Sequence, residues 1–382
     1  MTARVKVHPS LFEWAIIRSG RPSYIEEKFT SLPKWMSGEV DPTLKQLEDF
    51  AKATYTPLRY FFLDSPPIED LGVPYFRTIA GQESPSLSSN LIDTIMTMQR
   101  RQSWMKDYRL DEGFESLSFI GSVQLSDPDT EAAKKIREVF GFTETWASEH
   151  QNWENALGTL RAAAEDAGIM VFNESIVGLN TRRTLDVSEC RGFVLHDEFA
   201  PLIFINGNDG KAAQMFTLAH EIAHLFLGKS AIFDLNKLKP ATDPYERKCN
   251  AIAAEFLVPA LRLLDLKHES IQKIAKTFKV SELVAAYRML DLHIISPREF
   301  DAFYTQYYTQ YTENREKERA KNRENERGGP SPYVVKKSQI SQIFSFAVIS
   351  AVREGNLLYR DAYHLIGMHG ASFDKYVEEL GR

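Results

Sequence analysis

The segment Phe216-Thr217-Leu218-Ala219-His220-Glu221-Ile222-Ala223-His224-Leu225 constrains this chain more than any other stretch of it. Two histidines four positions apart on a helix lie on one face, one turn apart. Both imidazoles can therefore reach a single ion at roughly 2.0–2.1 Å. The glutamate beside the first histidine sits about 100° round the helix, which keeps it off the ion. It stays near enough to take a proton from a water in the same place. Phe216, Leu218, Ala219, Ile222, Ala223 and Leu225 are apolar, so the helix is expected in the interior. A His-Glu-His cluster buried there without a partner would carry an uncompensated desolvation cost. With 9 histidines in 382 residues, chance produces such a pentad on the order of one or two times per hundred similar chains.

A catalytic zinc keeps three protein ligands and one open position, so a third ligand must come from another element. The segment Glu246-Arg247-Lys248-Cys249-Asn250-Ala251-Ile252-Ala253-Ala254-Glu255 offers two carboxylates that face nearly opposite ways on a helix. Glu246 and Asn250 share a face with Ala253 and Ala254, small residues that allow close approach of two helices, so Glu246 is the expected ligand. Glu255 is expected to cap or solvate the other face. Asn250 is a candidate to hold a ligand histidine. Asp234, Asp243 and His268 are weaker candidates, and Cys249 reads as a small buried hydrophobe.

Around this pair of helices the pattern is mixed. Leu11, Trp14, Ala15 and Ile17 recur at helical spacing up to Gly20. A helix from Thr43 to Thr54 carries the stripe Leu44, Leu47, Phe50 and Ala51, with Thr43 as its N-cap. Residues 64–75, with Pro66, Pro67, Gly72 and Pro74, mark a boundary. Helical stretches follow from Ser88 to about Tyr108, from Asp129 to Val139, and over residues 151–167. Three short β-rich runs come next, Ile169–Phe172, Gly192–Leu195 and Pro201–Asn206, then the helices Ala212–Leu227 and Pro244–Val258. Residues 312–329 are charged and polar, and the last fifty or so form a small helical unit with Phe344, Phe346, Ala347, Ile349 and Val352 as its apolar residues.

The expected fold class is thus α+β and mainly helical, with a small sheet packed beside the His-Glu-x-x-His helix and helical N- and C-terminal regions. The expected domains are 1–66, 67–149 (a helical linker region), 150–310 (the metal-binding domain), 311–330 (a charged linker) and 331–382. A net charge of -6 argues against a chain that coats nucleic acid non-specifically. Two distant cysteines, Cys190 and Cys249, give no disulfide framework. The N-terminus lacks the apolar stretch of a signal peptide, and no apolar run approaches a membrane span, so a cytoplasmic setting is expected.

The two helical segments resemble the ImmA/IrrE family of metallopeptidases. The likeness rests on residues 216–228 and on Glu246-x-x-Cys249-Asn250-Ala251-Ile252-Ala253-Ala254-Glu255-Phe256-Leu257-Val258-Pro259. Arg191-Gly192-Phe193 and Ile203-Phe204-Ile205-Asn206 resemble the family's sheet, and the similarity covers about residues 150–305. It implies a zinc metalloendopeptidase of gluzincin type, with His220, His224 and Glu246 as ligands and Glu221 as general base. It further implies regulated cleavage of one protein partner, often a DNA-binding repressor in stress response or mobile-element control. Strand Leu202–Asn206 is expected to pair with the extended substrate. His196 is a candidate for the group that stabilises the developing oxyanion.

Trp35-x-x-Gly38-Glu39, Pro42-Thr43-x-x-Gln46-Leu47 and Ala51, with Pro57-Leu58 and Phe61-Phe62, resemble a phage-repressor-like helix-turn-helix of XRE type. Between Phe29 and Trp35 there is little room for a recognition helix, and Pro33 interrupts it. Residues 1–64 carry 9 Lys/Arg against 8 Asp/Glu, a weak grip on phosphate. Packing or protein contact is favoured over DNA reading. Ile271–Ser281 has similar spacing, but it lies within the metallopeptidase likeness and is expected to pack in the core. The alternative to a peptidase is a regulatory protein of toxin-antitoxin type that binds DNA or a partner.

Overall fold

The computed structural model describes residues 4–67, 69, 71, 87–233, 243–309 and 332–381. The fold is α+β and mainly helical. Its described residues form two compact units, 4–97 and 98–381, and helix α5 (Ser89–Asp111) runs across the division.

The first unit is built from α1 (Pro9–Ser19), α2 (Pro22–Lys28), α3 (Leu32–Met36), α4 (Leu44–Thr54) and a 3-10 turn at Leu58–Phe62. Helix α1 opens on Pro9, whose missing N–H would have no partner in the first turn anyway. It closes at Gly20 with φ 65°, the left-handed conformation that glycine adopts without strain. Thr43 caps α4 in a reciprocal capping box: its hydroxyl accepts the Gln46 amide at 3.2 Å and Gln46 Oε1 accepts the Thr43 amide at 2.9 Å. The core is aromatic. Phe50 sits 5.4 Å from Phe12 and 5.6 Å from Phe61, both edge-on. Ile17, expected on the buried stripe of α1, is 71% exposed; Leu11, Phe12, Ala15 and Ile16 form that stripe instead. Arg18 is buried and held by Glu69 and Asp93 at 2.9 and 2.6 Å.

In the second unit a four-stranded sheet has the order β1-β3-β2-β4, with β1 (Met170–Glu174), β2 (Gly192–Leu195), β3 (Leu202–Asn206) and β4 (Ala231–Phe233). β1 pairs parallel with β3, and β2 pairs antiparallel with both β3 and β4. Alternation along the strands sends Val171, Val194, Ile203 and Ile205 to one face. There they share a core with Met215, Leu218 and Ile222 of α8 (Lys211–Phe226) and with α7 (Trp153–Asp166). Phe172, Phe193 and Phe204 point the other way, with Phe193 stacked on Phe204 at 4.7 Å. Because β3 has a partner on both sides, it has no free edge. The expectation that Leu202–Asn206 pairs with substrate is therefore overturned, since its backbone donors and acceptors are already used.

The far face of the sheet meets α5 and the C-terminal helices α14 (Pro332–Gln339) and α15 (Gln342–Arg353), on which α17 (Ala371–Leu380) and α16 (Tyr359–Ile366) pack in turn. Phe344 of α15 lies edge-on to Phe172 at 5.5 Å. Glu174, at the end of β1, is buried between Arg101 at 3.0 Å and Lys336 at 3.2 Å. Phe346, expected among the apolar residues of this unit, is 51% exposed. The charged segment 312–329 lies outside the described residues.

Helices α6 (Asp129–Phe140), α9 (Pro244–Leu257), α10 (Ala260–Asp265), α11 (Ile271–Phe278), α12 (Glu282–Asp291) and α13 (residues 297–309) complete the unit. α11 and α12 are joined at Lys279, φ 55°. From Glu282 to Leu290 no residue of α12 is fully exposed, and Ile274, Ala275, Phe278, Val280, Ala285 and Met289 of this pair and its joint belong to the core of the unit.

Candidate metal centre

Helix α8 is apolar on nearly every side and is buried from Thr217 to Phe226. It therefore delivers its polar residues to an interior point. His220 and His224 are 0% and 1% exposed, and their Nε2 atoms are 3.0 Å apart. Helix α9 crosses against α8. Asp243 caps it by accepting the amides of Tyr245 and Glu246 at 2.7 and 3.2 Å, which fixes the first turn and with it the Glu246 side chain. The carboxylate of Glu246 reaches the Nε2 of His220 at 3.2 Å and that of His224 at 3.1 Å. The three ligand atoms lie within 4.8 Å of one another.

Three lone-pair-bearing atoms facing one point is an arrangement that a cation relieves and that protons relieve poorly. The donor set, two imidazoles and one carboxylate, is one that zinc accepts. Among the described residues this is the group of His, Cys, Asp and Glu able to hold a metal. Both oxygens of Glu221 and the Nδ1 of His224 are buried without a hydrogen-bond partner among the described residues. A polar atom so placed carries a penalty unless something binds it. The residues present therefore fit a metal ion.

The electrostatics follow from burial and proximity. Burial, with the nearby Glu246 charge, pushes the Glu221 carboxyl well above the ordinary range. Burial also works to raise Glu246, but the contacts to His220 and His224 outweigh it and bring the carboxyl below that range. For His220 burial dominates and lowers the value, while Glu246 and the Asn250 side chain oppose it. Burial pushes the Cys249 thiol well up, as expected for an inert core cysteine.

The other sequence candidates lie elsewhere. Glu255 is neither solvated nor near the histidines. It is 6% exposed, paired with Arg288 and accepting the Ala260 amide at 3.2 Å. It so caps the helix that follows while its charge is met internally. Asp243 is an N-cap rather than a ligand, and His268 is exposed on a turn. Asp234 lies outside the described residues. His196 stands by the end of α8, its amide bonded to Ser230 Oγ at 2.8 Å and its Nε2 near Gly228.

One residue escaped the site reading of the sequence. Gly192 of β2 turns its missing side chain toward Glu221. A Cβ there would meet Thr217 Cγ2 at 2.6 Å, Phe204 O at 2.9 Å and Glu221 Oε1 at 3.3 Å. A glycine in an apolar strand, here its first residue, is the signal that marks such a close approach.

Residues 164–290 match the family model described as the IrrE N-terminal-like domain, of the Peptidase_M78 family. Residues 340–379 match a domain of unknown function, DUF8813. Metallopeptidase ImmA of Bacillus subtilis (strain 168) is 26% identical over 119 residues, spanning 30% of this chain and 70% of that protein. These likenesses support a metallopeptidase of the ImmA/IrrE type. No described helix is long and apolar enough to cross a membrane.

Proposed function

We propose that this protein is a cytoplasmic zinc-dependent endopeptidase that cleaves a specific protein partner. The partner class is a transcriptional regulator in stress response or mobile-element control. One observation carries the reading: His220, His224 and Glu246 converge within 4.8 Å while the buried oxygens of Glu221 stand one residue away without a partner among the described residues. A structural zinc takes four protein ligands; the described residues supply three, which favours catalysis over the regulatory alternative.

His220, His224 and Glu246 would hold the ion. A bound zinc supplies Lewis-acid polarisation of the scissile carbonyl and acidifies water. Glu221, offset on the same helix, takes the proton of the attacking water and hands it to the leaving amine nitrogen. Gly192 keeps the space beside that carboxylate free of side-chain atoms. With β3 enclosed, β4 is the strand whose outer side suits an extended substrate backbone. It pairs with β2 in the register Gly192↔Phe233, and among the described residues its other side carries no strand, as strand addition by a peptide requires. For the N-terminal unit we infer protein contact rather than DNA reading, because α3 has only 5 residues where a recognition helix needs two to three turns.

Glu221→Gln tests the central role. It should keep zinc at one ion per chain and abolish cleavage of a partner found by comparing cellular proteins with and without the enzyme. Cleavage at the wild-type rate removes Glu221 from the mechanism.

A further inference from the structure

The two helices of the site are gripped by a segment that precedes the metallopeptidase match, which begins at residue 164. The Gly121 and Val123 amides donate to the carbonyls of Leu225 and Phe226, each at 2.9 Å. These are carbonyls of the last turn of α8, where helical partners run out; that of Leu225 also accepts the Gly228 amide at 3.0 Å. The chain then enters α6, which lies along α9. Ala132, Ala133 and Ile136 share a core with Cys249, Ile252 and Ala253.

Charged groups fasten α9 to α6 at both ends. Lys248 follows Glu246 by two residues; its Nζ lies 2.6 Å from Asp129 Oδ1 and also bonds to the Asp127 carbonyl. At the far end Arg137 donates to the carbonyls of Glu255 and Phe256 at 3.2 and 3.4 Å. The side chains of Lys248 and Asp129 are 11% and 43% exposed. The pair opens to solvent on its Asp129 side, which screens it and limits its contribution to global stability. It does stand within one helical turn of a ligand whose distance to the metal must hold to about 0.2 Å.

We propose that Asp129 and Lys248 are positioning residues for Glu246, setting where α9 presents its carboxylate to the two histidines. Resting on Glu246 as a ligand, this makes the region ahead of the family match part of the metal site's frame rather than a linker. The pair acts through the first turn of α9, which Asp243 and a contact of Lys229 Nζ over the Tyr245 ring at 3.6 Å hold from the other side.

The test measures zinc affinity of the full-length chain by competition with a chromophoric chelator, together with the melting temperature of the zinc-free protein. Asp129→Ala and Lys248→Met should each weaken zinc roughly three- to tenfold, below the 10–100-fold typical of groups bonded directly to a ligand. The double variant should be no weaker than the worse single one, Lys248→Arg should stay near wild type, and the zinc-free melting temperature should move little. Unchanged zinc affinity in both single variants, with Glu246→Gln still losing zinc, overturns the brace and leaves the metal site standing. So does a lowered melting temperature at unchanged affinity, or losses that simply add in the double variant. A wild type that takes up no zinc, or a Glu246→Gln that binds as well as wild type, removes the site and the brace together.

Discussion

Gly192→Ala isolates the fit between the sheet and the metal-binding helix with a single methyl group. The backbone of Gly192 is not left-handed, so alanine is conformationally acceptable and any penalty is one of space. The new Cβ would stand 2.6 Å from Thr217 Cγ2 and 2.9 Å from Phe204 O. Carbon atoms are most comfortable at about 3.5–4.0 Å, so β2 and α8 must separate by roughly 1 Å or Thr217 must leave its rotamer. Overpacking of this kind costs about 1–3 kcal/mol. Replacing glycine also restricts the unfolded chain, which returns about 0.4–1 kcal/mol. The net loss is about 1–2 kcal/mol, read as a fall of roughly 2–6 °C in melting temperature. Glu221 Oε1, 3.3 Å from the added carbon, should shift with it. Adding Thr217→Ser, which deletes Cγ2, should recover part of the loss. An alanine variant as stable as wild type, or more so, would refute the close approach, because glycine within a strand is otherwise the weaker residue.

Other consequences are as direct. Burial works to raise the Glu174 carboxyl, but Arg101 and Lys336 outweigh it and hold the group below its usual range. A carboxyl depressed in the folded state stabilises above its unfolded pKa of about 4.3, and that contribution disappears as pH falls through the folded value. Melting temperature should therefore drop on the acid side, and Glu174→Gln should flatten that limb; an unaltered acid limb counts against the pair. Lys336→Met removes one of the two cations and should destabilise by about 2 kcal/mol in urea titrations. Thr43→Ala breaks the capping box of α4 and should lower the stability of the N-terminal unit by about 1 kcal/mol, seen as faster amide exchange there. Chelation should destabilise the protein, by about 2.7 kcal/mol if free zinc had stood at 100 times its Kd, whereas a melting curve indifferent to chelator speaks against a bound ion.

Local signals carried the parts of the fold that depend on neighbours in sequence. The apolar run around His220 becomes a buried helix, Thr43 caps the helix after it, and Gly192–Leu195 is a strand of the same limits. The juxtaposition of Glu246 with the histidines follows helical periodicity and the small residues on that face. What the sequence hid depends on distant partners. Glu255 was legible as a cap or a solvated group; it caps α10, but its burial against Arg288, 33 positions away, could not be foreseen. β3 seemed open because strand order is settled by β1 and β2 together rather than by either run alone. Ile17 and Phe346 fit an apolar spacing yet face outward, since periodicity gives the stripe only to within one position.

The aromatic far face of the sheet has a consequence for synthesis. Phe172, Phe193 and Phe204 emerge well before Lys336 and Phe344, which cover that face in the finished protein. At 5–20 residues per second, the roughly 140 residues between Phe204 and Phe344 take about 7–28 s to make. Over that interval, once β4 has been made, the nascent chain carries the four strands with only α5 to cover the side that Phe344 later meets, and a buried-type carboxylate, Glu174, lacking its second cation. A ribosome stalled before residue 336 would thus display a sticky, undercharged intermediate, and chaperone occupancy should concentrate on chains of that length.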